Sequence, residues 1–359
     1  MLAGKTVPDI YWTEMDKILT IIIPTYNMEK YLPYCLDSLL INENQELVEV
    51  LVINDGSKDT SSEIAHAYAK RYPQTFRVID KENGNYGSCV NRGLAEAIGK
   101  YVKILDADDS FDTENFGRFV RFLQETDADL VVSDFVVVDE DRKITRMVVH
   151  GFPAGRLSLD DICTSKDFSH IQMHAVTYRR DMLLRLAYRQ TEGISYTDQE
   201  WVFTPMAGVR SVCYFDRHVY KYLVGREGQT MDPSVKVRRI PHVCRCVYSM
   251  SRAYEECKDH ISESLRKYYY GRLYYMIKEV YVYSFLNYSV QSQQILCQFD
   301  MALKGISREA YDIVSEGRFD YIGYWRTHPD TSSVLIRWMS LCYFRILLPL
   351  KKVLVHVMQ

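Results

Sequence analysis

The sequence predicts an α/β protein with a mixed, mainly parallel sheet that is flanked by helices and followed by a helical C-terminal region. Short, β-branched runs alternate with amphipathic stretches up to about residue 140, as in a parallel sheet covered on both faces. Acidic and glycine-containing turns follow several of these runs, and beyond Pro233 helical spacing dominates. Ligands of such sheets bind beyond the carboxyl ends of the strands. A functional site is therefore expected at those turns.

The predicted elements follow this alternation in chain order. Strands are expected at 18–25, 48–55, 76–80, 101–106 and 129–138. The helices between them are expected at 30–40, 60–71, 88–98 and 114–125, several of them after an Asp, Ser or Asn that suits an N-cap. The pattern then becomes mixed, with strands at 143–150 and 211–216 and helices at 180–187 and 198–207.

Composition excludes several classes of protein. The chain has 359 residues, 47% of them hydrophobic, which is too apolar for a disordered chain. Its 44 basic and 47 acidic side chains give a net charge of −3, which argues against a nucleic-acid partner. The nine cysteines are scattered and predict reduced thiols in the cytoplasm. The N-terminus lacks the layout of a signal peptide, and no clean membrane-spanning run is expected.

The most informative motif is Asp106-Ala107-Asp108-Asp109, directly after the apolar run YVKIL. In an extended segment, residues i and i+2 point the same way, so Asp106 and Asp108 are expected to converge. Two converging carboxylates repel each other unless a cation lies between them. Oxygen ligands select a hard ion, Mg²⁺ or Mn²⁺, which also binds phosphate oxygens. The alternative is a polar turn that caps the helix after Asp112.

Other strand ends carry related signals. Asp55 and Gly56 follow the second predicted strand, and Pro24-Thr25-Tyr26 closes the first. The segment 83–93 opens a helix with asparagines and glycines, so that backbone N–H groups can approach an anion. Neither a phosphate-binding P-loop nor the dinucleotide fingerprint is present, which argues against a P-loop NTPase and a standard dinucleotide enzyme.

Together the segments IIIPTYN, YLPYCLDSLL, VLVINDGSKDTS, the asparagine and glycine loop and ILDADDS resemble a family 2 glycosyltransferase of the GT-A fold. Their order and spacing match over residues 18 to about 112, with more diffuse similarity to about residue 230. The resemblance implies a nucleotide-diphosphate-sugar donor, usually UDP-linked, a divalent metal held by the aspartates, and inversion at the anomeric carbon.

The resemblance also implies roles for single residues. Asp55 would contact the nucleotide base, in a pocket lined by Pro24, Thr25 and Tyr26. Asp106 would face the ribose or a metal-bound water, and Asp108 would ligate the metal under the diphosphate. Asn83 and Asn91 of the asparagine and glycine loop complete the predicted nucleotide-binding set. The family often has an arginine where this chain has Val90, and Arg92 stands nearby instead.

An inverting transfer needs a base that takes the proton of the acceptor hydroxyl. The candidate stretch is Tyr196-Thr197-Asp198-Gln199-Glu200, whose two acids lie about 200° apart on a helix. Thr197 and Glu200 fit a capping box, which would give Glu200 a structural role. Asp198 is therefore the predicted base and Glu200 the alternative. Both acids could instead serve only to complement the helix dipole.

Two further segments have candidate residues. Residues 222–230 resemble the family's mobile loop that closes over the diphosphate, with Arg226 and Gln229 as its contacts; an ordinary exposed turn is the alternative. His174 could reach the acceptor or the metal, although a buried structural histidine is more common. The eight tyrosines at 268–288 are expected to pack a helix, with a sugar-stacking platform as the alternative.

The last segment, 334–358, predicts an amphipathic helix. A cationic stripe that includes Arg337, Arg345 and Lys351 faces Trp338, Phe344 and other apolar residues, as in a helix at a membrane surface. Packing on the catalytic domain or on a dimer partner is the alternative. The expected organisation is a catalytic domain at 1–230, a helical region at 231–330 and this helix at 331–359, with the catalytic domain divided into nucleotide (18–112) and acceptor (113–230) halves.

The sequence thus predicts a metal-dependent inverting glycosyltransferase that transfers a sugar from a UDP-sugar to a carbohydrate or lipid-linked acceptor. Cell-surface polysaccharide or cell-wall glycan synthesis at the inner face of the cell membrane is the expected setting. A non-catalytic nucleotide-sugar or glycan-binding protein is the first alternative. A haloacid-dehalogenase-like phosphatase is the second, but its motif normally follows the first strand, and here it follows the fourth.

Overall fold

The computed structural model describes residues 17–226, 238–287, 289–315 and 321–327, and its centre is a ten-stranded mixed sheet. The sheet has the order β3-β2-β1-β4-β9-β6-β10-β5, with β7 paired to β6 and β8 paired to β10. In chain order the strands are β1 (Leu19–Thr25), β2 (Val48–Asn54), β3 (Phe76–Asp80), β4 (Tyr101–Ile104), β5 (Ser110–Phe111), β6 (Leu130–Val138), β7 (Ile144–Val148), β8 (Arg156–Leu157), β9 (Val176–Arg179) and β10 (Val212–Leu223).

Helices pack on the sheet and continue into the C-terminal region. Those within residues 17–226 are α1 (Leu32–Asp37), α2 (Ser61–Arg71), α3 (Asn85–Glu96), α4 (Thr113–Glu125), α5 (Leu159–Ile162), α6 (Lys166–Ser169), α7 (Arg180–Arg185) and α8 (Asp198–Trp201). The described helices that follow are α9 (Ile240–Cys257), α10 (Glu263–Leu286), α11 (Val290–Ile306), α12 (Arg308–Asp312) and α13 (Tyr321–Thr327). In the part of the chain that the structure describes, 3-10 turns lie at 45–47, 173–175 and 204–208.

The first half of the sheet is parallel, as predicted. Strand β1 lies between β2 and β4, with Leu19 opposite both Val48 and Tyr101. Every residue of β2 and β4 is buried. Helix α2 packs on β2 and β3, and α3 packs on β1 and β2, and burial on both faces is why these strands are largely apolar. The carboxyl ends of β1, β2 and β4 therefore lie side by side at one edge.

The second half of the sheet is mostly antiparallel and was only partly predicted. Strand β9 inserts between β4 and β6 and runs antiparallel to both. Strand β5 pairs with β10 so that the acidic segment crosses the carboxyl edge of the sheet. Neither β5 nor β9 was predicted, because both are short and have no clear hydrophobic period.

The helix predicted at 198–207 is wrong in its length. α8 ends at Trp201, and a separate 3-10 turn follows at Thr204–Gly208 with Pro205 in its first turn. Proline cannot donate the helical hydrogen bond and restricts the residue before it, so the helix stops.

The helical region expected beyond residue 230 is present in the described residues. The amphipathic helix predicted at 331–359 lies outside them, as does the N-terminal segment 1–16. Among the described helices, none is long and apolar enough to cross a bilayer. The eight described cysteines are free thiols.

Candidate active site

Three aspartates converge just after β4. The ligand oxygens of Asp106, Asp108 and Asp109 all lie within 4.8 Å of one another. The predicted convergence of Asp106 and Asp108 is present, but its cause differs from the extended alternation that was expected. The segment makes a turn in which the Asp109 N–H donates to the Asp106 carbonyl at 3.0 Å, and the turn adds a third carboxylate.

The electrostatics of this cluster favour a bound cation. Burial, and then the charge of Asp108, raise the pKa of Asp106 to about 7. Burial, and then the charges of Asp108 and Asp106, raise the pKa of Asp109 well above its usual range. The Tyr86 hydroxyl, which donates to Asp106 Oδ1 at 2.7 Å, acts in the opposite direction and favours the anion. A divalent ion would remove the repulsion among these groups.

The hydrogen bonds of the three carboxylates differ: both oxygens of Asp109 are bonded, whereas, as far as the described chain extends, Asp106 and Asp108 each keep one oxygen for a ligand. Both oxygens of Asp109 accept hydrogen bonds, from the Tyr220 hydroxyl at 2.6 Å and the Leu223 N–H at 2.7 Å. Within the described residues, Asp106 Oδ2 and Asp108 Oδ1 accept none. Asp106 and Asp108 thus have the hard oxygen donors that fit Mg²⁺ or Mn²⁺, and Asp109 fixes their loop to β10.

Asp55 lies at the neighbouring strand end and is buried. Its Oδ1 accepts from Lys81 Nζ at 2.6 Å and from the Gly84 N–H at 2.9 Å, and its Oδ2 accepts from the Asn85 N–H at 2.9 Å. Asn83 donates to its carbonyl at 3.0 Å. The acid therefore holds the first turn of α3 at the carboxyl edge. α3 begins at Asn85, three residues before the predicted start.

An open cleft of about 500 Å³ lies beside Asp55. Tyr26 and Asn83 line it, and Tyr26 is 45% exposed there. Thr25 is buried and donates its hydroxyl to the Ile23 carbonyl at 3.1 Å, and neither it nor Pro24 lines the cleft. The remaining lining residues are Asn54, Gly56, Lys58, Asp80, Lys81 and Glu82. An aromatic face, two lysines and amide groups suit a planar polar ligand.

Asp198 and Glu200 face different surroundings on α8. The negative charge of Asp198 contributes to the raised pKa values of Asp106 and Tyr86, so Asp198 lies near the acidic cluster. Burial raises the pKa of Asp198 itself, although Gln199 donates to its Oδ2 at 2.8 Å. Glu200 is buried and instead accepts from the Thr191 N–H at 2.7 Å.

The capping box predicted from Thr197 and Glu200 is wrong. Thr197 is the N-cap but makes no capping hydrogen bond, and its backbone is in the α region. A capping hydroxyl needs an extended backbone at that residue. Glu200 has a structural contact, but its partner is Thr191 and not the N-cap.

Arginines approach the cluster from two loops. Arg226 Nε donates to Asp108 Oδ2 from the segment after β10, and Arg142 donates to the Asp108 carbonyl at 3.2 Å from the β6–β7 hairpin. Gln229 lies outside the described residues. Arg92 pairs with Glu96 on the exposed side of α3, at 2.8 Å, so its charge does not face the acidic cluster.

His174 is buried against aromatic rings. It stacks on Tyr222 with centroids 4.2 Å apart, and its carbonyl accepts from the buried Lys103 ammonium at 2.7 Å. Burial, followed by the Lys103 charge, lowers the pKa of His174 to about 3. The imidazole is therefore neutral at physiological pH.

Lys81, Tyr86, Asp109 and Arg142 contact the site but were not among its predicted residues. Asp109 was visible as the third acid of its motif, and Lys81 directly follows a predicted strand end. Tyr86 and Arg142 had no such signal, because each reaches the acids from another element. Asn91, predicted to bind nucleotide, uses its side-chain amide on Gln190 and Glu192.

This sheet, with its acidic carboxyl edge, is the GT-A class of glycosyltransferase fold. The structure of residues 1–349 of TarS from Staphylococcus aureus, in complex with UDP, superimposes with a TM-score of 0.64 over 91% of each chain, at 16% identity. Residues 20–186 match the model of Glycosyl transferase family 2, and this part of the chain is a domain of that family. The predicted fold and family are thereby confirmed.

Two curated relatives illustrate the extent of the similarity. The uncharacterized glycosyltransferase YibD of Escherichia coli is 30% identical over 213 residues, which are 57% of this chain and 60% of YibD. The minor teichoic acid biosynthesis protein GgaB of Bacillus subtilis is 35% identical over 108 residues, 30% of this chain and 12% of GgaB. The chain thus spans less than two thirds of the length of either relative.

Proposed function

We propose that this chain is a metal-dependent inverting glycosyltransferase that transfers a sugar from a UDP-sugar to a carbohydrate or lipid-linked acceptor. The observation that supports this most directly is the convergence of Asp106, Asp108 and Asp109 just after β4, with Asp198 near enough for its charge to raise the pKa of Asp106. An acidic metal site and a separate buried carboxylate are the two components that such a transfer needs.

The proposed donor site extends from the cleft to the acidic cluster. Tyr26, with Pro24 and Thr25 behind it, Asp55 and Asn83 surround the base, and Asp106 faces the ribose or a metal-bound water. Asp108 and Asp106 would hold the metal, Mn²⁺ or Mg²⁺, which would supply positive charge to the departing diphosphate. Arg226 and Gln229 contact that diphosphate. Asn91 supports the donor site from α3, through its hydrogen bonds to Gln190 and Glu192. TarS, a protein of the same fold, binds UDP.

In the proposed reaction Asp198 accepts the proton of the acceptor hydroxyl. The acceptor oxygen forms a bond to the anomeric carbon as the bond between that carbon and the β-phosphate oxygen breaks, and UDP leaves with the electron pair. Attack from the face opposite the phosphate inverts the configuration. The raised pKa of Asp198 suits a base, because a stronger base takes the proton more readily.

The proposed setting is the synthesis of cell-surface polysaccharide or cell-wall glycan. GgaB, which shares part of this domain, is a minor teichoic acid biosynthesis protein. We propose a cytoplasmic location at the inner face of the membrane, with the segment 334–358 as its contact. Removal of the residues after Thr331 should then lower sedimentation with anionic liposomes.

Titration calorimetry and UDP release test the proposed activity. UDP is expected to bind with Mn²⁺ or Mg²⁺ and to bind weakly without them, and Asp108→Asn should abolish the metal effect. Asp141→Asn, which changes an exposed acid paired with Lys143, is the matched control and should change nothing. A screen of UDP-sugars then measures UDP release with candidate acceptors.

Asp198→Asn separates an enzyme from a binding protein. It should leave the affinity for UDP intact and abolish transfer. UDP binding by the wild type without UDP release from any nucleotide sugar would favour the non-catalytic alternative. Phosphate release from simple phosphoesters, lost in Asp106→Asn, would favour the phosphatase.

A further inference from the structure

Four residues, Gln190 to Gly193, form a bridge between the donor-side helix α3 and the helix α8. We call 190–193 the bridging segment. On the donor side, Asn91 binds it with both amide atoms: its Oδ1 accepts from the Gln190 N–H at 2.8 Å, and its Nδ2 donates to the Gln190 carbonyl at 2.9 Å. The Gly193 N–H adds a bond to the Gly84 carbonyl at 2.9 Å.

The approach of α3 to the bridging segment is close. A methyl group added at Gly87 would lie 2.2 Å from the Thr191 carbonyl oxygen, a distance that no real contact has. Only glycine therefore permits this contact without movement of the backbone. The bridging segment is thus held against α3 by shape as well as by hydrogen bonds.

On the other side, Glu200 of α8 holds the same segment. Its Oε2 accepts from the Thr191 N–H at 2.7 Å, and its side chain is buried. Arg245 of α9 donates to the Glu192 carbonyl at 3.1 Å. Asp198 lies two residues before Glu200 on α8, so the position of the segment determines where this acid stands relative to α3.

Helix α3 is also the element that contacts the donor-site acids. Its first N–H groups bind Asp55, and Tyr86 in its first turn binds Asp106. A continuous chain of hydrogen bonds therefore runs from Asp55 and Asp106 through α3 and the bridging segment to Glu200. These hydrogen bonds fix the proposed donor site relative to α8, which carries Asp198, the proposed base for the acceptor.

We propose that Asn91 and Glu200 are a pair of positioning residues that hold Asp198 at its working distance from the donor. The inference rests on the proposed function, in which Asp198 is the base. Asn91 acts through the bridging segment and not by contact with the nucleotide, and Glu200 acts as an acceptor for Thr191 and not as the base. Misplacement of a reacting group by about 1 Å is enough to lower a rate about 100-fold.

Single variants test the role of each residue. Asn91→Ala and Glu200→Ala should lower kcat about 10- to 100-fold and leave the Kd for UDP and the donor KM nearly unchanged. Glu200→Gln should retain most of the activity, because its amide oxygen still accepts from Thr191. Arg92→Ala, one residue from Asn91 but on the exposed side of α3, is the control and should behave as the wild type.

The double variant is the stricter test. Because both residues hold one segment, Asn91→Ala combined with Glu200→Ala should lose about as much activity as one single variant, and not the product of the two losses. Glu200→Gln as inactive as Asp198→Asn would make Glu200 the base and overturn the proposal. So would additive losses, or an Asn91→Ala variant whose only defect is a weaker affinity for UDP.

Hydrogen exchange separates this proposal from the proposed function. In Asn91→Ala the amides of residues 198–203 should exchange faster than in the wild type, while those of β1 and β2 should not change. That result supports the positioning pair even if no nucleotide sugar yields UDP, which would count against the proposed function alone. Unchanged exchange at 198–203 would overturn the positioning pair.

Discussion

The ionisation of Asp106 makes the stability of the fold depend on pH. Its usual pKa of 3.8 rises to about 7 in the folded chain, through burial and through Asp108. Between these values the folded state binds a proton that the unfolded state releases. Raising the pH across that window therefore lowers the free energy of unfolding, and a bound cation opposes the loss.

We predict that, without divalent metal, the melting temperature of the wild type falls relative to that of Asp106→Asn as the pH rises from about 4 to 7. The asparagine cannot ionise, yet its oxygen still accepts from Tyr86. Saturating Mn²⁺ should raise the melting temperature of the wild type at pH 7 and that of the variant much less. Parallel melting curves for the two proteins at every pH would show that Asp106 ionises normally.

The acids of the site were predictable one by one, but their surroundings were not. Asp55, Asp106 and Asp108 follow apolar runs, and the carboxyl ends of parallel strands lie at one edge, so the sequence predicts their grouping. The partners Tyr86 and Arg142 reach them across distances that no local pattern encodes. Specific side-chain contacts depend on tertiary packing, which periodicity does not describe.

At the scale of elements, α3 connects the sheet to the candidate site. Its inner face packs on β1, where Gly93 lies against Ile22. An added methyl group there would stand 2.5 Å from Ile22 Cγ2, so the helix would have to move away from the strand. Its first turn, which contacts Asp55 and Asp106, would move with it.

We therefore predict that Gly93→Ala lowers the free energy of unfolding by about 1–3 kcal/mol, the usual range for overpacking. Gly271→Ala in α10 is the control, because nothing lies within 4 Å of the added methyl group. It should raise stability by up to about 1 kcal/mol through helix propensity. Denaturant unfolding of the two variants measures both effects, and equal changes would mean that α3 has room at β1.

Elements that carry strong periodicity were predicted, and those fixed by tertiary contacts were not. Strands β1, β2 and β4 are apolar on both faces, which length and composition reveal. Strand β9 has no clear hydrophobic period, and α8 is a single turn whose Glu200 binds the N–H of Thr191, nine residues earlier in the chain. The predicted capping box was wrong because the motif suits a contact within α8, whereas Glu200 accepts from Thr191 outside the helix.

At the scale of the whole molecule, tyrosines of α10 pack the C-terminal helical region against the segment that follows α8. Tyr268 and Tyr269 of α10 are buried and donate their hydroxyls to the carbonyls of Val202 and Phe203, just after α8. Tyr269 also packs edge-on against Phe203, with centroids 4.3 Å apart. These contacts are consistent with the predicted packing role of the tyrosines. They join the helical region to the residues that directly follow α8, the helix that carries the candidate base Asp198.

We predict that Tyr269→Phe lowers the free energy of unfolding by about 0.5–1.5 kcal/mol, because it removes the hydroxyl at 3.2 Å from the Phe203 carbonyl, which keeps its second donor, the Met206 N–H at 3.1 Å. Tyr274→Phe on the same helix, where the ring is 40% exposed, should change stability by less than about 0.5 kcal/mol. The ring contact between Tyr269 of α10 and Phe203 remains in the variant. Unfolding of Tyr269→Phe should therefore still be one transition, and its midpoint should shift equally by calorimetry and by circular dichroism. Two separate transitions would mean that the helical region and the sheet fold independently, and that α10 does not support the segment that carries Asp198.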